Sequence, residues 1–368
     1  MSDVAAANGA QSMRRLLKKY SQRLLRAAFE RLGPEEITAP PLASPPPDLS
    51  KHSERLKNAV AARAALVNDF FGGWQPSDVA LFEKYRAAAS GAGGQITDYF
   101  GVRTPVEYVP WAKGNAGQVL TDPPIPDDGV RAEAIEYFAL LDTLENSHGN
   151  EFSMIELGAS YAPWCCMGGV LAMRAGKKKI SLRAVEAGGF FYKLIASYFE
   201  LNGIKSIPGK VDFDLRIIHG AVGIKPGTMH FPVITSANEN GGQALYETAK
   251  SDYVGRTIEH EPVEVKTLTE IFQGLDTVDL LHCDIQGSED EVLTLGAELI
   301  TQKVRRMFIG THSRHIEGKL IDCFHKLEWS LVRERPTHFE HRVSMASPVG
   351  MTLRDGGQYW VNNKLLKS

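Results

Sequence analysis

From Phe152 onward, short apolar runs of strand length alternate with stretches of helical periodicity, and this alternation restricts the chain more than any other feature. It requires an α/β layered domain. Strands are expected over Ser153–Leu157, Ile180–Glu186, Leu215–His219, Val278–Asp284 and Val304–Thr311, with helices near Trp164–Arg174, Phe190–Asn202, Ser288–Ile300 and Glu317–Lys326. Right-handed crossovers join the five strands into one mostly parallel sheet. Trp329–Val332 and Gln358–Val361 supply an antiparallel terminal pair.

The preceding sequence has a different character, and the chain divides into segments 1–38, 39–148 and 149–368. Residues 12–32 place Leu16, Leu17, Tyr20 and Leu24 on one helical face and Arg14, Lys18, Arg23 and Arg26 on the other, a basic amphipathic helix. It is suited either to packing on its own protein or a second subunit, or to peripheral contact with an anionic membrane surface. Gly33-Pro34 ends it, and a proline-rich linker follows. Helical patterns over 53–71, 78–89 and 131–144 make 39–148 a mainly helical region, with an aromatic stretch around Tyr99, Tyr108 and Trp111 that could serve as a lid or acceptor platform.

Net charge is only −3 across 368 residues, which argues against a nucleic-acid partner. The four cysteines, Cys165, Cys166, Cys283 and Cys323, lack the C-x-x-C spacing of zinc or redox sites and read as reduced packing residues. No apolar run reaches the ~18 residues of a spanning helix, and the N-terminus lacks a secretory pattern, so the cytoplasm is the expected location.

In a parallel sheet, ligands gather outside the carboxyl ends of the strands. The first strand runs into Glu156-Leu157-Gly158-Ala159-Ser160-Tyr161-Ala162-Pro163-Trp164, an acid followed by a small-residue turn and a helix start whose N–H groups can receive an anion. The second ends at Glu186-Ala187, about 30 residues after the first acid, where a carboxylate can accept both hydroxyls of a ribose. The third leads into His219-Gly220-Ala221, an edge for an adenine ring. A nicotinamide cofactor is disfavoured because the turn lacks the G-x-G-x-x-G pattern.

The fourth strand ends His282-Cys283-Asp284-Ile285-Gln286-Gly287-Ser288-Glu289, and alternation sends His282 and Asp284 to one side. Asp284 is expected to act at the site, whereas Glu289 fits helix-dipole stabilisation. The fifth ends at Thr311-His312, where an imidazole can take a hydroxyl proton at neutral pH. His282, Asp284 and His312 also permit a divalent metal, although no short spacing compels one.

Met154-Ile155-Glu156-Leu157-Gly158-Ala159, Glu186, the run Asp279 to Glu289, Ile309-Gly310-Thr311-His312-Ser313 and Asp355-Gly356-Gly357-Gln358-Tyr359-Trp360-Val361-Asn362 together resemble the FkbM family of methyltransferases over about residues 150–365. The resemblance implies a class I, Rossmann-like methyltransferase fold, S-adenosylmethionine as donor, and transfer to a hydroxyl, often of a sugar or polyketide-like acceptor. It assigns Glu156, Gly158 and Ala159 to the methionine side and Glu186 to the ribose. Ser160, Trp164, Ala187, His219, Gly220 and Ala221 complete the expected cofactor set, and Asp284, His312 and His282 the catalytic one. Ser160 and Ala162 depart from the family's more glycine-rich turn, and Gln286 from a common glutamate. An adenosyl-binding module without catalysis is the alternative, and a homo-oligomer is compatible with either.

Overall fold

A computed structural model describes residues 72–239, 241–247, 259–343, 345 and 349–366. The expected basic helix at 12–32, the linker and the helical pattern at 53–71 lie outside the described residues. In chain order the first elements are α1 (Asp78–Tyr85), β1 (Gln95–Thr97), β2 (Arg103–Pro105) and α2 (Ala134–Glu145). The central elements are β3 (Glu151–Leu157), α3 (Pro163–Arg174), β4 (Lys179–Glu186), α4 (Gly189–Leu201), β5 (Asp212–His219), β6 (Ala221–Gly223), β7 (Thr228–Pro232), β8 (His260–Thr267), α5 (Leu268–Ile271) and β9 (Val278–Cys283). The last are α6 (Glu289–Leu295), α7 (Ala297–Lys303), β10 (Val304–Thr311), α8 (Arg314–Lys326), β11 (Trp329–Arg335), β12 (His338–Phe339), β13 (Thr352–Arg354), β14 (Gly356–Asn362) and α9 (Asn363–Leu366).

Seven strands form one sheet in the order β11-β14-β10-β9-β3-β4-β5. β3, β4, β5, β9 and β10 run parallel, and β14 enters antiparallel between β10 and β11. This is the class I methyltransferase, Rossmann-like arrangement, with the expected antiparallel pair at one edge. Strand order reverses at β3, so the polypeptide leaves β3 and β9 in opposite directions and opens a crevice between them.

Period-two alternation divides the core into two layers. Phe152, Met154, Leu280 and Phe308 point to one face, where α2, α3 and α4 cover them, while Ile155, Leu157, Leu281, Met307 and Ile309 point to the face covered by α5 to α8. The central strands β3, β9 and β10 are therefore apolar on both sides, as a sheet covered by helices requires. The first layer continues without interruption into Phe82, Ile96, Phe100, Val102 and Val109. The described part of 39–148 thus shares the core of the sheet. It is less helical than its sequence suggests: between α1 and α2 lie a two-stranded ribbon and a turn of 3₁₀ helix at Pro110–Asn115.

The helix expected over 288–300 is broken at Gly296, where the chain packs against Leu268 of α5. The small sheet β6-β8-β7 has no counterpart in the sequence reading. The cysteines are free; Cys165, Cys166 and Cys283 are buried. Among the described residues, no helix is long and apolar enough to cross a membrane.

Candidate functional site

A cavity of about 580 Å³ opens at the carboxyl ends of β3, β4, β9 and β10. Glu156, Gly158, Ser160, Trp164, Glu186, Ala187, Gly220, Ala221, His282, Asp284 and His312 all line it. Two members of the expected set do not: Ala159 is buried behind the turn, and His219 lies outside, stacked on Tyr192 at 4.6 Å between ring centres with Nε2 3.1 Å from the Ala187 carbonyl. At the end of β5 the cavity is lined by Gly220, Ala221 and Val222, together with Phe231 and Ile234 from β7 and the segment leading out of it.

The turn after β3 is held by carboxylates. Glu156, 1% exposed, accepts the N–H groups of Trp164 (3.2 Å) and Cys165 (2.6 Å), so it caps α3. The helix N–H groups expected to be open to an anion are thus partly satisfied from within the chain. Burial pushes the Glu156 carboxyl up to about 8, against the pull of those two N–H groups. Glu186 accepts from the backbone N–H of Ser160 and of Gly188, each at 2.6 Å, and joins the two strand ends. Burial raises it to about 7. Ser160 and Ala162 occupy left-handed backbone (φ 51° and 62°). The turn therefore keeps a glycine-type conformation without glycine at these two positions, at a cost of about 1–2 kcal/mol per residue.

Gly158 has φ +75°, and a Cβ there would lie 1.8 Å from the Asp284 carbonyl oxygen. Its smallness brings β3 against the end of β9, where Asp284 N–H donates to the Leu157 carbonyl at 2.9 Å. Close approach of two strand ends, as much as of a ligand, explains that glycine.

His282 lies beside Glu156 in the β3–β9 register. Its ring is stacked between Trp164 (5.3 Å) and Phe308 (5.0 Å), with Nε2 3.1 Å from Glu136 of α2 and Nδ1 without a hydrogen-bond partner. Burial depresses its pKa to about 3, so it is neutral near pH 7. The clamped ring has the surroundings of a wall residue rather than those of the catalytic group its position suggested.

His312 is 3% exposed and lies between two carboxylates, Nδ1 2.8 Å from Glu289 Oε1 and Nε2 3.4 Å from Asp284 Oδ1. Burial works against its charge, but Glu289 and Asp284 outweigh burial and raise its pKa to about 10. His312 thus keeps its proton at neutral pH, contrary to the free base expected from its reference value. Glu289, fully buried, also accepts the N–H groups of Ile285 and Gly287 and fastens the 284–288 loop. This goes beyond a helix-dipole role. Asp284 reaches the cavity, its side chain 37% exposed. Gly310 leaves it room, since a Cβ there would stand 3.1 Å from Asp284 Cγ. Asp284, Glu289 and His312 offer ligand atoms within 4.8 Å of one another, whereas His282 is not among them.

Several lining residues come from segments to which the sequence assigned no site residue or only a general role. Arg131 is ion-paired with buried Asp98 at 3.0 Å, and Arg335 pairs with Glu133 at 2.9 Å and donates to the Asp355 carbonyl. Trp111 stands at the rim, 53% exposed, its indole N–H donating to the Val130 carbonyl at 2.5 Å, while Tyr99 and Tyr108 are buried away from the cavity. Glu136 had a visible signal, a single acid inside the apolar run Ala134-Ile135-Glu136-Tyr137-Phe138-Ala139-Leu140-Leu141.

The strand order of the sheet is that of the class I methyltransferase fold. In sequence, the chain is 28% identical over 258 residues to a protein of Jannaschia sp. (strain CCS1) described as "Putative methyltransferase", covering 69% of this chain and 88% of that one. No protein-family model matches the chain. Among solved structures, the METTL16 MTase domain overlaps 60% of this chain and 64% of its own at 8% identity and TM-score 0.33. A SAM-dependent O-methyltransferase from Thermotoga maritima overlaps 62% and 64% at 12% identity and TM-score 0.29.

Proposed function

We propose that this chain is an S-adenosylmethionine-dependent methyltransferase of the FkbM type that modifies a hydroxyl, with a sugar or glycan as acceptor. The observation that carries the reading is the convergence of Glu186, the Ser160 turn and Asp284 on one cavity at the strand ends. Relatedness to the Jannaschia protein and the motif resemblance support it.

The donor set suits an adenosyl amino acid. Glu186 spends one lone pair of each oxygen on a backbone N–H, which leaves one on each for the two ribose hydroxyls. Ser160 Oγ is buried at the cavity wall without a hydrogen-bond partner, a polar atom available to the amino-acid end. Ala221, Val222, Phe231 and Ile234 form an apolar slot of the kind a base requires. When bound, the donor supplies a methyl group on a sulfonium.

The chain itself must orient the acceptor and take its proton. Asp284 and His312 both line the cavity, but His312 holds its proton near pH 7, so the Asp284 carboxylate receives the hydroxyl proton as the C–O bond forms. Placement contributes most of the acceleration, ~7–11 kcal/mol, and the base about 10²–10⁴-fold. The exposed Trp111 face at the rim fits a sugar ring. Mass spectrometry of glycans incubated with isotope-labelled donor tests the activity. Asp284→Asn should lower transfer about 10²–10⁴-fold while donor affinity is kept. Full turnover by that variant, or no labelled glycan, would refute the reading.

A further inference from the structure

We propose that His312 Nε2 and Asp284 Oδ1 are two ligands of a divalent transition-metal ion, Mn²⁺ or Zn²⁺, held at the acceptor end of the cavity. Three observations carry it. The first is a distance. These atoms stand 3.4 Å apart, and His312 Nε2 makes no hydrogen bond. Yet two donor atoms each about 2.1 Å from one ion, at a near-tetrahedral angle, stand about 3.4 Å apart.

The second observation is orientation. Glu289 Oε1 takes His312 Nδ1 at 2.8 Å, and Glu289 is itself anchored by Ile285 and Gly287 N–H. A buried carboxylate on one ring nitrogen directs the other nitrogen outward, the carboxylate–histidine–metal pattern of orienting groups behind metal ligands. Glu289 is therefore a positioning residue, and the ion displaces the Nε2 proton on binding.

The third is the position of the unpartnered atom. Nε2 belongs to a side chain only 3% exposed, yet both His312 and Asp284 line the cavity. With only two protein ligands, the remaining coordination positions fall to water and the acceptor oxygen. Polarisation by the ion would lower the pKa of an acceptor hydroxyl, and its proton would pass to the second oxygen of Asp284. The mixed imidazole and carboxylate set favours Mn²⁺ or Zn²⁺ over Mg²⁺, which takes oxygen ligands.

The role at the acceptor rests on the methyl-transfer reading, but binding of the ion does not, so two titrations on the full chain separate them. Chelator-treated protein is titrated with Mn²⁺ by electron paramagnetic resonance and with Zn²⁺ by calorimetry, and in parallel with S-adenosylhomocysteine. We expect one ion per chain, loss of binding in His312→Ala and Asp284→Asn, and 10- to 100-fold weakening in Glu289→Gln, with S-adenosylhomocysteine affinity kept in all three. Retained nucleoside binding also shows that the variants fold. No saturable ion in the wild type, or unchanged ion affinity in His312→Ala, overturns the proposal. An ion bound as expected with no nucleoside binding would leave the metal site standing and overturn the methyl-transfer reading instead.

Discussion

Glu186 makes the affinity for an adenosyl ligand depend on pH in a way that can be calculated. Burial raises its carboxyl from 4.5 to about 7, while both oxygens accept backbone N–H groups at 2.6 Å. Accepting two ribose hydroxyls as well requires the ionised form. At pH 8 that form dominates, and at pH 6 only about a tenth of the molecules carry it, so the affinity for S-adenosylhomocysteine should fall about tenfold, or ~1.4 kcal/mol. Hydroxyl donors lower the carboxyl pKa, so binding near pH 7 should release protons, which calorimetry in two buffers of different ionisation enthalpy reads directly. Glu186→Gln keeps the shape but turns an NH₂ toward one of two N–H donors. It should weaken binding at pH 8 by roughly 10- to 100-fold, given about 1.5–3 kcal/mol for each charge-assisted bond, and lose this part of the pH dependence. The ammonium group of the ligand titrates identically against both proteins, so the difference between their curves isolates Glu186. Equal pH dependence in wild type and variant would refute the reasoning.

The ligand-free protein should lose stability as pH rises. The folded pKa values of Glu156 and Glu186, about 8 and about 7, lie above the unfolded value of 4.5, so the folded state binds protons more tightly. Their contribution is fullest below pH 4.5 and is lost between pH 4.5 and 8; for Glu186 it corresponds to about 3 kcal/mol. Comparing thermal melts at pH 5.5 and 8 of wild type and Glu186→Gln checks the sign. Gly158→Ala should cost about 2–4 kcal/mol or prevent folding, because its Cβ meets the Asp284 carbonyl at 1.8 Å and φ is positive; a wild-type urea midpoint would contradict this. Arg131→Ala leaves Asp98 buried without its cation and should cost about 3–5 kcal/mol by urea denaturation.

Much of the scaffold was legible because its determinants are local. The strands from Ser153 to Thr311 and the terminal pair show as apolar runs, and the acids at 156, 186 and 284 fall where strands end. Less legible were β6 to β8, a short sheet whose strands pair across the unanticipated excursion between β5 and β9.

What the sequence alone determined was the α/β class, the order of strands and helices along the chain, and which polar residues sit at strand ends, because period and turn chemistry act over a few residues. Only the tertiary structure decided what those residues do. Glu136 meets His282 across 146 positions and Glu289 meets His312 across 23. The protonation of each depends on how much water packing removes and which charge packing sets beside it. Neither quantity is encoded within a window of sequence, and so two neighbouring imidazoles, alike on paper, end with pKa values of about 3 and about 10.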